Sequence, residues 1–162
     1  MHPRLMNHHS LELMGIQKIS SGLKSIYLEE KISKYIPLCI FYSTLFYWFW
    51  TLYSDCYNLK LQDVFRLPID LEDELLDKAR FFSTYSELID SMYKNGRHVK
   101  YNKKNGLTEY FEFKPRLSKN IFDKVDELLA TYYGFNKDEL EFIINYDRKY
   151  RVNDEGNKDD EL

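Results

Sequence analysis

Between Lys94 and Lys119 the sequence sets eight cations, Lys94, Arg97, Lys100, Lys103, Lys104, Lys114, Arg116 and Lys119, against two acids, Glu109 and Glu112. That local net of +6 stands out in a chain whose formal charge is −3. Clustered cations form anion-binding faces, and phosphates are their commonest guests. Tyr101 and Tyr110 are interleaved among them. Lysines on a projecting ribbon reach phosphates, and Arg can also read guanine edges. A solvated, charged hairpin explains the same pattern without any guest. The composition does not separate the two.

Other chemistry is sparse. Pro68-Ile69-Asp70 and, later, Glu112-Phe113-Lys114 resemble the proline–acid and acid–x–lysine set of many metal-dependent restriction nucleases. In those, the acids hold a divalent cation and the lysine helps activate water. Here a long helix is expected between the halves, and Asp70 falls at a helix start. Alternating Glu and Lys on a solvent-facing strand is the better account. The six glycines are scattered and form no nucleotide-binding loop. No serine sits in a nucleophile elbow. Cys39 and Cys56 make neither a disulfide framework nor a zinc pattern, and a reducing compartment, the cytoplasm, suits them. His2, His8 and His9 lack the acids or cysteines of a metal-ligand pattern. No catalytic, cofactor-binding or metal-binding residue is assigned.

The elements that must position the cations follow from periodicity. The fold class expected is α+β and predominantly helical: a buried aromatic helix, a long amphipathic helix, a β-hairpin and two C-terminal helices. Ser33 can cap the first helix, with Pro37 near its first turn. The run Phe41–Tyr53 follows, with eight aromatic residues in thirteen and no charge. An uncharged stretch from Tyr35 to Ser54 is long enough to cross a membrane. However, Pro37, Ser43, Thr44 and Thr51 lie inside it, and Tyr and Trp prefer the interface to the bilayer centre. A buried helix is expected, ending near Tyr53. Leu61 to Leu67 reads as extended because Pro68 disfavours helix before it.

Asp70 can cap the amphipathic helix, whose Leu75, Leu76, Ala79, Phe82, Tyr85, Leu88, Ile89, Met92 and Tyr93 recur at helical spacing. Asn95-Gly96 ends it. Val99 and Tyr101 then alternate with His98, Lys100 and Asn102, and Asn105-Gly106 is a favoured tight-turn dipeptide. Leu107–Phe113 returns as the second strand, stopped by Pro115. Ser118 can cap a helix carrying Ile121, Phe122, Val125, Leu128, Leu129 and Tyr132, with Gly134 as its stop signal. Asn136 and Glu139 form a capping-box pattern for the last helix, which carries Leu140, Phe142, Ile143 and Ile144.

Three regions are expected: an irregular segment 1–20, a body 21–151, and an acidic tail 152–162 with five acids and one lysine, expected to be disordered. Leu23–Leu28 reads as a short strand. Without the tail the chain has 22 basic and 21 acidic residues. Residues 1–10 have no signal-peptide core.

Two stretches resemble a known family. Ser43-Thr44-Leu45-Phe46-Tyr47-Trp48-Phe49-Trp50, Ser54-Asp55-Cys56, Asn58-Leu59 and Leu67-Pro68-Ile69 resemble a segment of the target-recognition domains of bacterial adenine-specific DNA methyltransferases, the type IIG restriction–modification enzymes among them. Val99 to Lys104, Glu109-Tyr110, Glu112-Phe113, Lys114-Pro115, Ser118-Lys119, Ile121 and Tyr133-Gly134-Phe135 resemble the C-terminal end of that family. So do Asp138 to Asp147 and Lys149-Tyr150-Arg151. The resemblance spans about Ser21 to Arg151.

The family binds S-adenosylmethionine and holds a flipped adenine with an Asn-Pro-Pro-Tyr-type motif. These 162 residues contain neither that motif nor a cofactor loop. The resemblance therefore implies a part of such an enzyme: recognition domain plus terminal helices, without catalysis of its own. Its implied partner is double-stranded DNA, with Arg97, Lys100, Lys103, Lys104, Lys114, Arg116 and Lys119 as the candidate contacts and no membrane association. The alternative is a protein-interaction piece or split subunit docking on a separate methyltransferase or endonuclease chain. Its soundness as a fold rests on how many aromatic rings the helix regions 71–95 and 118–146 can cover.

Overall fold

The computed structural model describes residues 26–29, 32–103 and 106–147. The expectations for 1–20, for Leu23–Ser25 and for the tail lie outside them. Ile26–Glu29 carries no regular secondary structure. The architecture is α+β and predominantly helical, with six helices and one two-stranded antiparallel sheet among the described residues. The helices are α1 (Tyr35–Tyr42), α2 (Thr44–Tyr53), α3 (Leu61–Val64), α4 (Lys78–Lys94), α5 (Lys119–Tyr133) and α6 (Lys137–Asn145). The strands are β1 (Arg97–Lys103) and β2 (Gly106–Glu112), and a 3-10 turn, Pro115–Ser118, leads into α5.

The aromatic run is two helices rather than one. The chain breaks at Ser43, which is extended (φ −68°, ψ 154°), and α2 leaves α1 at a bend of 70°. Ser43 closes both ends: its hydroxyl donates to the Ile40 carbonyl at 2.6 Å and accepts from the Phe46 N–H at 3.0 Å. A serine hydroxyl at a helix start satisfies a donor that would otherwise be orphaned. The bend lets both short helices press on the same core. No single helix among the described residues is long and apolar enough to cross a membrane; α1 and α2 reach that length only as a bent pair.

The main core joins Ile36, Cys39, Ile40 and Phe41 of α1, Leu45 and Phe46 of α2, Phe81 of α4, Val125, Leu128 and Leu129 of α5, and Ile143 of α6. A second cluster packs Tyr42 on Leu88, Met92, Ile121 and Phe122. Of the eight rings, Phe41, Tyr42, Phe46 and Trp50 are buried, Tyr47, Trp48 and Phe49 are half-buried, and Tyr53 is exposed. Burial in this apolar setting pushes the Cys39 thiol up to about 12, so it behaves as a small core residue.

Local signals are met unevenly. The Asn136–Glu139 capping box forms, with the Asp138 and Glu139 N–H groups donating to Asn136 at 2.9 and 3.0 Å and the Asn136 N–H donating to Glu139 at 2.8 Å. Gly134 ends α5 in the left-handed region at φ 71°, where glycine carries no side-chain penalty.

Four details differ from the sequence pattern. The amphipathic helix starts at Lys78, capped by Asp77, whose carboxylate accepts from the Arg80 N–H at 3.0 Å. Asp70 instead caps a turn, accepting from the Glu72 N–H at 2.9 Å. Leu61–Val64 is one helical turn rather than extended, closed by the Lys60 N–H donating to buried Asp63 at 3.0 Å. At the start of α5, Ser118 makes no side-chain cap; its hydroxyl meets that of Ser91 at 2.8 Å and so ties α5 to the end of α4. Finally, Lys103 pairs with Gly106, which makes Gly106 a strand residue rather than a turn residue.

Candidate functional site

The basic stretch folds as the β-hairpin and the turn after it. β1 and β2 pair chiefly with each other, from Arg97 opposite Glu112 to Lys103 opposite Gly106. Four rings moor the base. Phe111 meets His98 edge-on at 4.9 Å and Phe113 edge-on at 4.9 Å. Tyr93, in the last turn of α4, lies 6.0 Å from Phe111 and 5.8 Å from Phe113. Gly96 makes this possible, because a Cβ built there would lie 2.2 Å from the Phe111 ring. Gly96→Ala is expected to displace that ring and cost ~1 kcal/mol; a shift of the Phe111 ring resonances in NMR without global unfolding checks this.

The candidate contacts differ in their surroundings. Arg97 is exposed, and its Nε donates to Glu112 across the strand pair at 2.7 Å. Lys100 is exposed and stands opposite Glu109 in register. Lys103 ends β1; Lys104 lies outside the described residues. Lys114 is half-buried and Arg116 exposed, flanking Pro115 at the start of the 3-10 turn. Lys119 is drawn inward: its ammonium pairs with Asp123 and donates to the Ile144 carbonyl at 3.2 Å, tying α5 to α6. Arg97, Lys100, Lys103, Lys114 and Arg116 thus belong to one ribbon and its exit, while Lys119 also serves the helix packing.

The nuclease-like pattern is not brought together. The Pro68 carbonyl accepts from Tyr133 Oη at 3.2 Å, and the Asp70 N–H donates to Tyr132 Oη at 3.3 Å, both at the end of α5. Glu112 lies at the opposite end of the α4–α5 pair, beyond the Ser91–Ser118 tie. Among the described residues no three His, Cys, Asp or Glu converge on a metal-sized site.

The structure adds one polar residue that the pattern reading passed over. Asp126 is buried, 1% exposed, in the apolar stripe of α5. Its carboxylate accepts from the backbone N–H groups of Thr44 at 3.1 Å and Leu45 at 2.9 Å. It therefore caps α2 from another helix. Burial pushes its pKa up to about 6, outweighing the N–H donors that favour the charged form. The signal was present in the sequence: Asp126 is four residues from Phe122 and three from Leu129, on the face meant for the core.

Compared with known proteins, the chain matches no family model, no curated protein and no solved structure.

Proposed function

We propose that this chain is a DNA-recognition module, related to the C-terminal part of type IIG restriction–modification enzymes and adenine-specific DNA methyltransferases. The hairpin carries the proposal. It pairs chiefly within itself over a small aromatic base, with Arg97 and Lys100 exposed on its first strand, Lys103 at that strand's end, and Lys114 and Arg116 at its exit. Such a ribbon suits the phosphates of a duplex, giving affinity and register. The resemblance of Ser43–Trp50 and of Asp138–Asp147 to that family supplies the biological setting, a cytoplasmic one. Methyl transfer and S-adenosylmethionine binding belong to motifs that these residues do not contain.

Exchanging Lys114 and Arg116 together for glutamate is expected to weaken duplex binding at least tenfold while leaving the helical circular-dichroism signal unchanged, since neither side chain is buried in the core. Equal binding by the variant and the parent would remove the ribbon from the proposal.

A second reading draws on the apolar surface around the end of α2. Leu52, Tyr53, Tyr57, Leu61 and Phe65 are all exposed in α2 and the segment after it. Monomers seldom leave so many large apolar side chains uncovered in one stretch, and a separate methyltransferase chain would cover them. Co-purification with such a chain, lost in Tyr53→Ser/Phe65→Ser, tests this reading.

A further inference from the structure

We infer that the aromatic cluster at the hairpin base is a stacking platform for an unpaired nucleobase of single-stranded nucleic acid. Phe111 and Phe113 are half-buried and account for mooring the hairpin. His98 and Tyr93 do more than mooring requires: His98 is exposed, and Tyr93 keeps 39% of its surface. His98 meets Phe111 at an interplanar angle of 80°, and Phe113 meets Phe111 at 65°. In edge-to-face contacts the ring that offers its edge keeps its faces for other partners.

Cations outnumber acids around these rings: Lys94, Arg97, Lys100 and Lys114 against Glu109, opposite Lys100 in register, and Glu112, paired with Arg97. Lys94 follows Tyr93 and is exposed; Lys100 lies two residues from His98 on the same strand face; Lys114 follows Phe113. Aromatic faces bordered by cations take bases by stacking and the backbone by charge. A duplex cannot use the rings, because its bases are already stacked on one another. The inference rests in part on the DNA-binding proposal, but it predicts a preference that phosphate contacts alone do not give.

The test uses the full chain, a single-stranded oligonucleotide carrying 2-aminopurine, and the same sequence as a duplex. The single strand is expected to bind more tightly, with the 2-aminopurine fluorescence quenched on binding. His98→Ala is expected to lose about tenfold in single-strand affinity, together with most of the quenching. His98→Phe should restore both, and duplex affinity should stay within twofold throughout. If the duplex binds but the single strand shows neither preference nor quenching, the platform is refuted and the duplex proposal survives. If the single strand binds with quenching and the duplex does not bind, the platform stands and the duplex proposal falls. Binding of neither refutes both.

Discussion

Asp126→Ala is expected to lower the unfolding free energy by ~3 kcal/mol at neutral pH, because it leaves two N–H donors at the start of α2 buried without acceptors. The loss should deepen in acid. The carboxyl of Asp126 has a pKa near 6 when folded, against an ordinary value of 3.8. A group that binds its proton more tightly in the folded state stabilises that state as the pH falls. Its contribution is therefore smallest above pH 6 and grows as the pH drops toward 4. Two pKa units correspond to ~3 kcal/mol across that window. Relative to the alanine variant, the parent protein should gain this stability on acidification. Urea denaturation of both proteins at neutral and at mildly acidic pH measures the gap directly. A gap that narrows in acid would mean that Asp126 is held in its charged form, and the cap would need another description.

Phe122→Ala should have an effect at least as large by a different route. Phe122 is 1% exposed and stacks on Tyr42 with ring centroids 5.7 Å apart and planes 15° from parallel. Leu88, Met92 and Ile121 close the rest of its surroundings. Removing the ring forfeits its transfer free energy and leaves a cavity that rigid neighbours cannot fill, ~4 kcal/mol together. For a domain of ordinary stability that is a large share of the total. Leu117→Ala is the control: Leu117 is 52% exposed, and the change should cost less than ~0.5 kcal/mol. Denaturation midpoints at constant m-value compare the two. Equal, small effects would mean that the Tyr42–Phe122 cluster contributes little to stability.

The elements that the sequence announced most clearly are those whose cause is local. The spacing of Leu88 and Met92, the Asn136–Glu139 box and Gly134 act within a few residues, and the chain folds as they say, although Phe81 rather than Phe82 enters the core and Leu75 stays exposed. The helix that became two was harder to read. Aromatic residues fill both sides of Ser43, so periodicity carries no mark of the break. Ser43-Thr44 is itself a capping signal, yet the bend also needs Asp126, more than eighty residues along the chain. The start of α4 was misplaced for a related reason. Asp70 and Asp77 are equally good caps by type, and the contacts of Pro68 and Asp70 with Tyr133 and Tyr132 hold residues 68–70 at the end of α5.

The site was legible as charge and not as geometry. Eight cations in one stretch are visible in any reading, but only the folded chain separates Lys119, bound to Asp123 and the Ile144 carbonyl, from Lys114 and Arg116 at the ribbon's exit. The opposing acids Glu109 and Glu112 likewise gain meaning from strand register, which sets them across from Lys100 and Arg97.

The proposed function requires the hairpin to bind nucleic-acid phosphates. Fluorescence anisotropy of a short labelled duplex, titrated with the full chain between ~50 and ~200 mM salt, tests it most directly. Three or more phosphate contacts predict that log affinity falls against log salt with a slope of about −3 or steeper, at ~0.9 per contact. Lys114→Glu/Arg116→Glu should make that slope shallower. No binding by the folded protein at the lowest salt, or an affinity that salt leaves unchanged, would contradict the proposal.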